Sequence, residues 1–296
     1  MKRIIIIGSG NISKTHYKSI RNLRFLSIIK KYKSREFTKL NIKDLKKFKP
    51  DFFIICSPAS LHIKHLKIIE KCCSDKYILI EKPLSTKFIK SFKFKNNYFV
   101  GYNLRFHPVI IFLKKYLKNK TIFSVNVVSF SFLPFWRIIN YSKSVSAKKR
   151  LGGGIVLEMS HELDYLNWIF GDLNILSSFN KKISNLKIDT DDTLVATFKT
   201  KLKEIINLNL NFFSLLPKRE ITVSGKDFSI NCNLLKNKIF IIEKKNNKII
   251  KRNVLYKNFS LKKTYEKQIE LFLNKNHRQL VPIKESNNLM KLLNKL

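Results

Sequence analysis

Acidic residues are scarce in this chain: Asp and Glu number 20 against 59 Lys and Arg in 296 residues, for a formal net charge of +39. Glycine (8), proline (7) and cysteine (4) are scarce as well. So few chain breakers exclude a low-complexity chain, and 44% apolar residues with 12% aromatics exclude a disordered one. The four cysteines, Cys56, Cys72, Cys73 and Cys232, show no C-x-x-C spacing and no histidine at zinc-site spacing, so a stapled scaffold is excluded and no metal site is expected. Long hydrophobic runs are missing. The stretch Ile4 to Ile7 is too short for a signal-peptide core or a bilayer span, and no uncharged stretch reaches ~18 residues. The expectation is a soluble, cytoplasmic protein without a membrane partner, long enough for two domains or one large α/β unit.

At face value the charge points to nucleic acid or an anionic surface. Of the basic residues 49 are Lys and only 10 are Arg, and the lysines run evenly from Lys2 to Lys295. Readers of nucleic acid gather Arg-rich or clustered stripes instead. Lys, Ile, Asn and Phe, all with AT-rich codons, are abundant together, so genome composition accounts for the excess and no nucleic-acid partner is expected.

The first half alternates β-rich runs with helical patterns, as a parallel sheet with crossover helices requires. The predicted strands are Arg3 to Gly8, Phe25 to Ile29, Asp51 to Ser57, Tyr77 to Glu81 and Tyr98 to Tyr102, with a clear helix over Ser60 to Cys73 and another after Pro108. From Thr121 the pattern changes. A β-run (Ile122 to Phe132), a loop and a glycine-led helix (Gly154 to Phe170) precede strands at Asn174 to Lys181, Leu194 to Thr200, Glu204 to Phe213, Glu220 to Ser224, Ser229 to Leu235 and Lys238 to Glu243. Helices at Leu261 to Asn274 and Ser286 to Leu296 close the chain. The domains expected are 1–118 and 119–296, the second with a largely antiparallel sheet.

Ile4 to Ile7 followed by Gly8-Ser9-Gly10-Asn11-Ile12-Ser13 reads as strand, tight turn and helix. Gly8 permits the turn, Gly10 lets backbone approach a diphosphate, and the helix offers its free N–H groups and positive dipole end. An ordinary β-to-α turn is the competing reading, since Ser13 replaces the third glycine of the dinucleotide fingerprint. An acid is expected about 20 residues on to hold the adenosine ribose. Lys30, Lys31 and Tyr32 stand there, with Ser34 and Arg35 nearby, which favours a 2′-phosphate and so NADP over NAD; solvated lysines on a short crossover are the alternative.

Four further segments fall at strand or helix ends. Cys56-Ser57-Pro58-Ala59-Ser60-Leu61-His62 and Glu81-Lys82-Pro83 both end strands at the carboxyl edge, where doubly wound sheets bind ligands. Gly101 to Pro108 (GYNLRFHP) closes the first half with Arg105. In Gly152 to Asp164 (GGGIVLEMSHELD), three of the 8 glycines precede His161, and three of the 20 acids, Glu158, Glu162 and Asp164, surround it. On a continuous helix Glu158, His161 and Asp164 share one side. A histidine beside carboxylates can pass a proton near neutrality; a buried structural histidine is the other reading.

Together GSGNISKTH, CSPASLH, EKP, GYNLRFHP and GGGIVLEMSHELD, in this order over residues 3 to about 171, resemble the Gfo/Idh/MocA family of nicotinamide-dependent oxidoreductases. The resemblance implies an α/β protein, with an N-terminal Rossmann doubly wound parallel sheet and a C-terminal α+β domain built on an open, mainly antiparallel sheet. It implies NAD(P) held by Gly8, Ser9, Gly10, Asn11 and Ile12 at the diphosphate, by Ser57, Pro58 and His62 along the nicotinamide wall, and by Glu81 and Lys82. It implies Lys82 and His161 as the groups that manage the hydroxyl proton, with Glu158 or Asp164 as the partner acid. Arg105, Trp136, Arg137 and Tyr141 are implied as substrate-recognition groups. The substrate expected is a sugar or sugar nucleotide, the setting surface-polysaccharide biosynthesis, and the assembly a homodimer or homotetramer joined through the open sheet face. The sequence departs from the family at Glu158-Met159-Ser160-His161, where Asp-x-x-x-His is common, and in its short second crossover. A non-catalytic, nucleotide-binding or regulatory member of the same fold is therefore the alternative. In a mobility-shift assay at physiological salt, duplex DNA is expected to run unretarded; a specific shift with a steep salt slope would restore the nucleic-acid reading.

Overall fold

The computed structural model describes residues 1–91, 94–136 and 140–296. Two compact units emerge. Met1–Asn103, Arg150–Gly152 and Ser260–Asn294 make the first, and Leu104–Lys149, Gly153–Phe259 and Lys295–Leu296 the second.

The first unit contains β1 (Lys2–Ile7), α1 (Asn11–Asn22), β2 (Ser27–Tyr32), α2 (Ser34–Thr38), α3 (Ile42–Phe48), β3 (Phe52–Ile55), α4 (Ala59–Cys72), β4 (Tyr77–Glu81) and β5 (Asn97–Gly101). Its strands lie in the order β5-β4-β3-β1-β2, every neighbouring pair parallel. Strands covered on both faces read as unbroken apolar runs, and Ile4–Ile7, Phe52–Ile55 and Ile78–Ile80 are accordingly all buried. The sequence reading ends β2 at Ile29, but pairing of Ile5, Ile6 and Ile7 with Lys30, Lys31 and Tyr32 carries the strand on to Tyr32. The residues that follow it are thus Lys33, Ser34 and Arg35. The short crossover is two small helices, each anchored by one buried apolar residue, Phe37 and Leu45.

The second unit contains α5 (Pro108–Leu117), β6 (Ile122–Phe132), α6 (Ile155–Glu158), α7 (Ser160–Phe170), β7 (Asn174–Lys181), β8 (Thr193–Lys199), β9 (Ile205–Asn211), β10 (Phe213–Gly225), β11 (Phe228–Asn233), β12 (Lys238–Lys245) and β13 (Lys248–Leu255). The strand order is β13-β12-β11-β10-β6-β9-β8-β7, antiparallel except for the parallel β6–β9 pair. Alternate residues such as Leu194, Ala196, Phe198, Ile206, Leu208 and Leu210 are buried within this unit. The helix expected over Gly154 to Phe170 is interrupted at Met159, whose backbone (φ −95°, ψ 23°) separates α6 from α7. The strand expected at Glu220 to Ser224 is the far part of the longer β10, which shifts register between Phe213 and Lys218. β13 escapes the sequence reading because KIIKRNVL is exposed and half polar.

The closing segment corrects the domain boundary. α8 (Lys262–Leu273), β14 (Val281–Pro282) and α9 (Ile283–Leu293) return to the first unit, while α5 belongs to the second. β14 extends the parallel sheet by pairing antiparallel with β5. Phe272 of α8 is fully buried and meets Phe52 at 5.4 Å between ring centroids, and Asn103 Nδ2 donates to Thr264 Oγ1 at 2.6 Å. Boundaries drawn along the sequence miss this because the contacts link residues more than 150 positions apart.

Two histidines fold neutral. His107 Nδ1 accepts the Val109 N–H at 3.3 Å and caps α5, and His65 Nδ1 lies 3.0 Å from the Ser57 hydroxyl. Burial pushes each down to about 4. An unfolded histidine titrates near ~6.5, so the unfolded chain binds the extra protons and stability falls as pH drops from about 6.5 towards 4. Urea midpoints should decline across that window, and His107→Asn, which keeps a capping oxygen, should reduce the slope; an unchanged slope would refute the assignment. Phe272→Ala should lower the stability of the first unit by about 3–5 kcal/mol in denaturant titrations, although it lies in the closing segment.

Candidate active site

In the first unit the parallel register sets several strand ends level. Ile7 pairs with Ile55 and Ile55 with Ile80, so Gly8, Cys56 and Glu81 emerge together at the carboxyl edge. Gly8 has φ 126°, and a Cβ there would lie 2.6 Å from the Cys56 carbonyl oxygen, so a side chain is excluded on both counts. Gly10 precedes α1 in extended conformation, caps it with no side chain, and has open space where a Cβ would stand. No acid occupies the first turn. Residues 11–13 therefore leave their N–H groups open at the positive end of a 12-residue helix, with room for backbone to meet an anion. Gly8, Ser9, Gly10, Asn11 and Ile12, the residues expected at a diphosphate, lie together at this end.

No acid directly follows β2. Glu36, the next in sequence, accepts the Lys33 N–H at 2.8 Å and so caps α2. Lys30 lies over the Phe48 ring and Lys31 over that of Tyr17, at 4.6 and 4.0 Å from the centroids.

The loops after β3 and β4 are tied by His62, which is 1% exposed. Its Nε2 lies 2.8 Å from the Ser57 carbonyl oxygen, and its Nδ1 lies 3.0 and 3.2 Å from those of Pro83 and Leu84. Burial pushes its pKa down and the carbonyls oppose this without reversing it. Where the sequence suggests a nicotinamide wall, the histidine braces the loops carrying Ser57 and Lys82. Pro58 is the cap of α4. Glu81 is similarly engaged: its Oε1 lies 2.5 Å from Nε2 of the fully buried His16 on α1. Tyr265 of α8 meets the other edge of this arrangement, its ring 5.7 Å from that of His16. Lys82 follows at the strand end, half-buried.

In the second unit Gly153 and Gly154 lead α6. A Cβ on Gly153 would overlap the Val145 and Ser146 carbonyls, and one on Gly154, at φ 108°, would overlap the Asp191 carboxylate. Asp191 closes that helix end, its carbonyl accepting the Ile155 N–H and its Oδ2 the Val156 N–H, each at 3.1 Å. Glu158 Oε1 accepts from the Ser146 hydroxyl at 3.0 Å. His161 stands in the first turn of α7 and is 9% exposed.

The acids around His161 have partners elsewhere. Asp164 and Arg105 form a buried two-point pair, Nε to Oδ2 at 2.9 Å and Nη2 to Oδ1 at 2.7 Å, with the guanidinium 5.2 Å from the Trp168 ring centroid. The structure thus joins an expected acid to an expected substrate group. Glu162, fully buried, receives Arg219 of β10 at 2.8 and 2.6 Å. Tyr141 accepts the Lys187 N–H at 3.0 Å, Trp136 meets the Phe212 ring edge-on at 5.2 Å, and Arg137 lies outside the described residues.

Sequence reasoning passed over His16 and Asp191. His16 was visible as the last residue of GSGNISKTH, in step with Ser13 and Ile20 on the buried face of α1. Asp191 sits in the acid pair Asp191-Asp192, in a chain where acids are few.

No curated protein matches the sequence. Among solved structures, a levoglucosan dehydrogenase in complex with NADH superposes with a TM-score of 0.80 at 13% identity, covering 99% of this chain and 95% of that one. A UDP-N-acetylglucosamine 3-dehydrogenase, GnnA from Acidithiobacillus ferrooxidans, gives 0.74 at 16% identity, with 99% and 95% covered. The WlbA dehydrogenase from Bordetella pertussis, in complex with NADH and UDP-GlcNAcA, gives 0.74 at 17% identity, with 99% and 94% covered. These likenesses establish the fold, an N-terminal parallel sheet with a C-terminal, mainly antiparallel one. The model of the C-terminal α/β domain of the oxidoreductase family matches residues 114–279, more than half of the chain. The chain belongs to the Gfo/Idh/MocA oxidoreductase family.

Proposed function

We propose that this protein is a nicotinamide-dependent oxidoreductase moving a hydride between the cofactor and a secondary hydroxyl or carbonyl carbon of a sugar or sugar nucleotide. The observation that carries this reading is the open end of α1 behind Gly8 and Gly10, level with the strand ends that bear Ser57 and Lys82. Dinucleotide and sugar ligands in the solved structures of the same fold support it. The free N–H groups of α1 bind the diphosphate. A bound nicotinamide supplies the carbon that gives or takes hydride. Lys82 donates to the substrate oxygen and His161 takes the hydroxyl proton, while His16 through Glu81, and His62 through three carbonyls, hold the loop that presents Lys82. Glu158 and Asp164 position α6 and α7 through Ser146 and Arg105. Trp136, Arg137 and Tyr141 stay assigned to substrate recognition.

NADP is the cofactor favoured, since Lys33, Ser34 and Arg35 follow β2 and Glu36 is engaged as a cap. Sugar-nucleotide substrates would place the reaction in surface-polysaccharide biosynthesis. The subunits associate through the outer sheet face, where paired Phe179 and Val195 are 50% and 46% exposed; the alternating set from Leu194 onward is used inside the unit. Among the described residues no helix is long and apolar enough to cross a membrane.

Titration with NADPH and NADH, followed by nicotinamide fluorescence, should show saturable binding that is tighter for NADPH. Equal or tighter NADH binding would overturn the NADP assignment, and binding of neither would overturn the cofactor reading. His161→Ala and Lys82→Ala should each lower turnover on a responsive sugar nucleotide by ~10²-fold or more, with cofactor affinity left in place by His161→Ala. Unchanged turnover in both would sink the proton-transfer roles. The interruption at Met159 favours one rival, a member that binds cofactor without chemistry, which saturable binding with no turnover on any sugar nucleotide would reveal.

A further inference from the structure

Cys72 and Cys73 are adjacent in sequence and differ in setting from the other cysteines. Cys56, just after β3, and Cys232, on β11, are buried, and burial pushes their thiols up, the latter to about 12. Cys72 and Cys73 are half-exposed, at the last turn and cap of α4, with their sulfurs 3.6 Å apart. Cys72 is fixed in the helix, its S–H 3.1 Å from the Ile68 carbonyl oxygen. Cys73 has left the helix for an extended backbone (φ −137°, ψ 145°), held by its N–H on the Ile69 carbonyl and by Asn96 Nδ2 on its own carbonyl, at 2.8 and 3.0 Å. Its sulfur lies in van der Waals contact with that of Cys72. The Cys72 thiol beside it, and the ammonium groups of Lys76 and Lys46, hold the Cys73 thiol below its ordinary value, whereas Cys73 pushes Cys72 up. The neighbouring Lys46 and Lys76 and the extended backbone outside the helix mark Cys73 as the nucleophile, with Cys72, fixed on the helix 3.6 Å away, as the resolving thiol.

We propose that Cys72 and Cys73 form a reactive dithiol site at the end of α4, which a hydroperoxide oxidises to a vicinal disulfide and a dithiol restores. The Cys73 thiolate attacks the outer peroxide oxygen, the O–O bond breaks, and the alcohol or water leaves with Cys73 as a sulfenic acid. Cys72 sulfur then attacks the Cys73 sulfur, the S–S bond forms, and hydroxide departs as water with the Cys72 proton. Two thiols lose two electrons in all, and the peroxide gains them. Consecutive Cα atoms are ~3.8 Å apart, short of the usual ~4.4–6.8 Å for bridged cysteines, so the ring is strained and readily reduced. That suits a reversible modification rather than a structural staple.

The test uses the full reduced chain, exposed to an equimolar amount of hydrogen peroxide, alkylated, and read by intact and peptide mass spectrometry. The expected result is the loss of two of the four thiols, a 2 Da decrease in one chain and one peptide holding both oxidised residues, all reversed by dithiothreitol. Cys72→Ser should stop at a Cys73 sulfenic acid trapped by dimedone, and Cys73→Ser should slow the reaction at least ~10-fold. Oxidation at Cys56 or Cys232 first, a cross-link between two chains, or Cys73 driven to sulfinic acid with Cys72 still free would each overturn the proposal. Both variants change half-exposed sulfurs to hydroxyls, and circular dichroism confirms that the chain tested is folded.

Discussion

The close approach of β1 and β3 governs the first unit. Cys56 donates its N–H to the Ile7 carbonyl at 2.7 Å, and Gly8 donates to the Tyr32 carbonyl at 2.8 Å, so the residue after β1 is clamped between strands on either side. With the Cys56 carbonyl so near, nothing larger than hydrogen fits at Gly8. The chain must turn there, and the turn delivers Gly10 and α1 with the helix axis directed away from the sheet edge. The same parallel register delivers Ser57 and Glu81 at the same height. A Cβ at Gly8 would force the strands apart and separate the N-terminal end of α1 from the loops that carry Ser57 and Lys82.

The scarcity of acids explains much of the rest. Five of the six buried carboxylates among the described residues meet a cation, a histidine or a set of N–H groups, and the sixth, Glu204, accepts the Thr200 hydroxyl, as burial of an ion requires. Glu81 takes His16, Glu162 takes Arg219, Asp164 takes Arg105, and Asp192 accepts the N–H groups of Ile183 and Ser184 at 2.9 and 3.1 Å. Glu243 of β12 gathers Tyr116, Lys120 and Arg252 at 2.8, 3.3 and 2.6 Å. Burial would raise its pKa, but these three donors outweigh the burial and hold it below the usual carboxylate range. In a chain so basic, an acid has partners available wherever it is placed. Removing one partner from such a buried pair strands the other, at a cost of about 3–5 kcal/mol.

This is also why the sequence was legible in some places and not in others. Unbroken apolar runs marked β1, β3 and β4, and alternation marked β8 and β9, because burial on two faces and on one face leaves those patterns in the sequence. The glycine turn was legible since Gly8 is required by sterics local to it. The return of α8 to the first unit left no local trace, for Phe272 on an amphipathic helix would serve any core equally well. The partners of the acids around His161 left no local trace either. Proximity in sequence identified a helix rich in carboxylates, whereas their partners, Ser146, Arg105 and Arg219, lie on other elements.

Helix geometry then separates His161 from its neighbours. Successive residues on α7 turn by about 100°, so Glu162 and Asp164 point about 200° apart, one towards Arg219 of β10 and the other towards Arg105. Two charged pairs on different sides lock the rotation of α7 about its axis. His161, one residue before Glu162, is consequently held in a fixed direction in the first turn. Glu158 lies beyond the Met159 break and is tied to Ser146, so the one-residue contraction relative to the family spacing falls where the helix is already interrupted. The pairs that hold Glu162 and Asp164 on two sides of α7 are the same ones that fix the direction in which His161 leaves the helix.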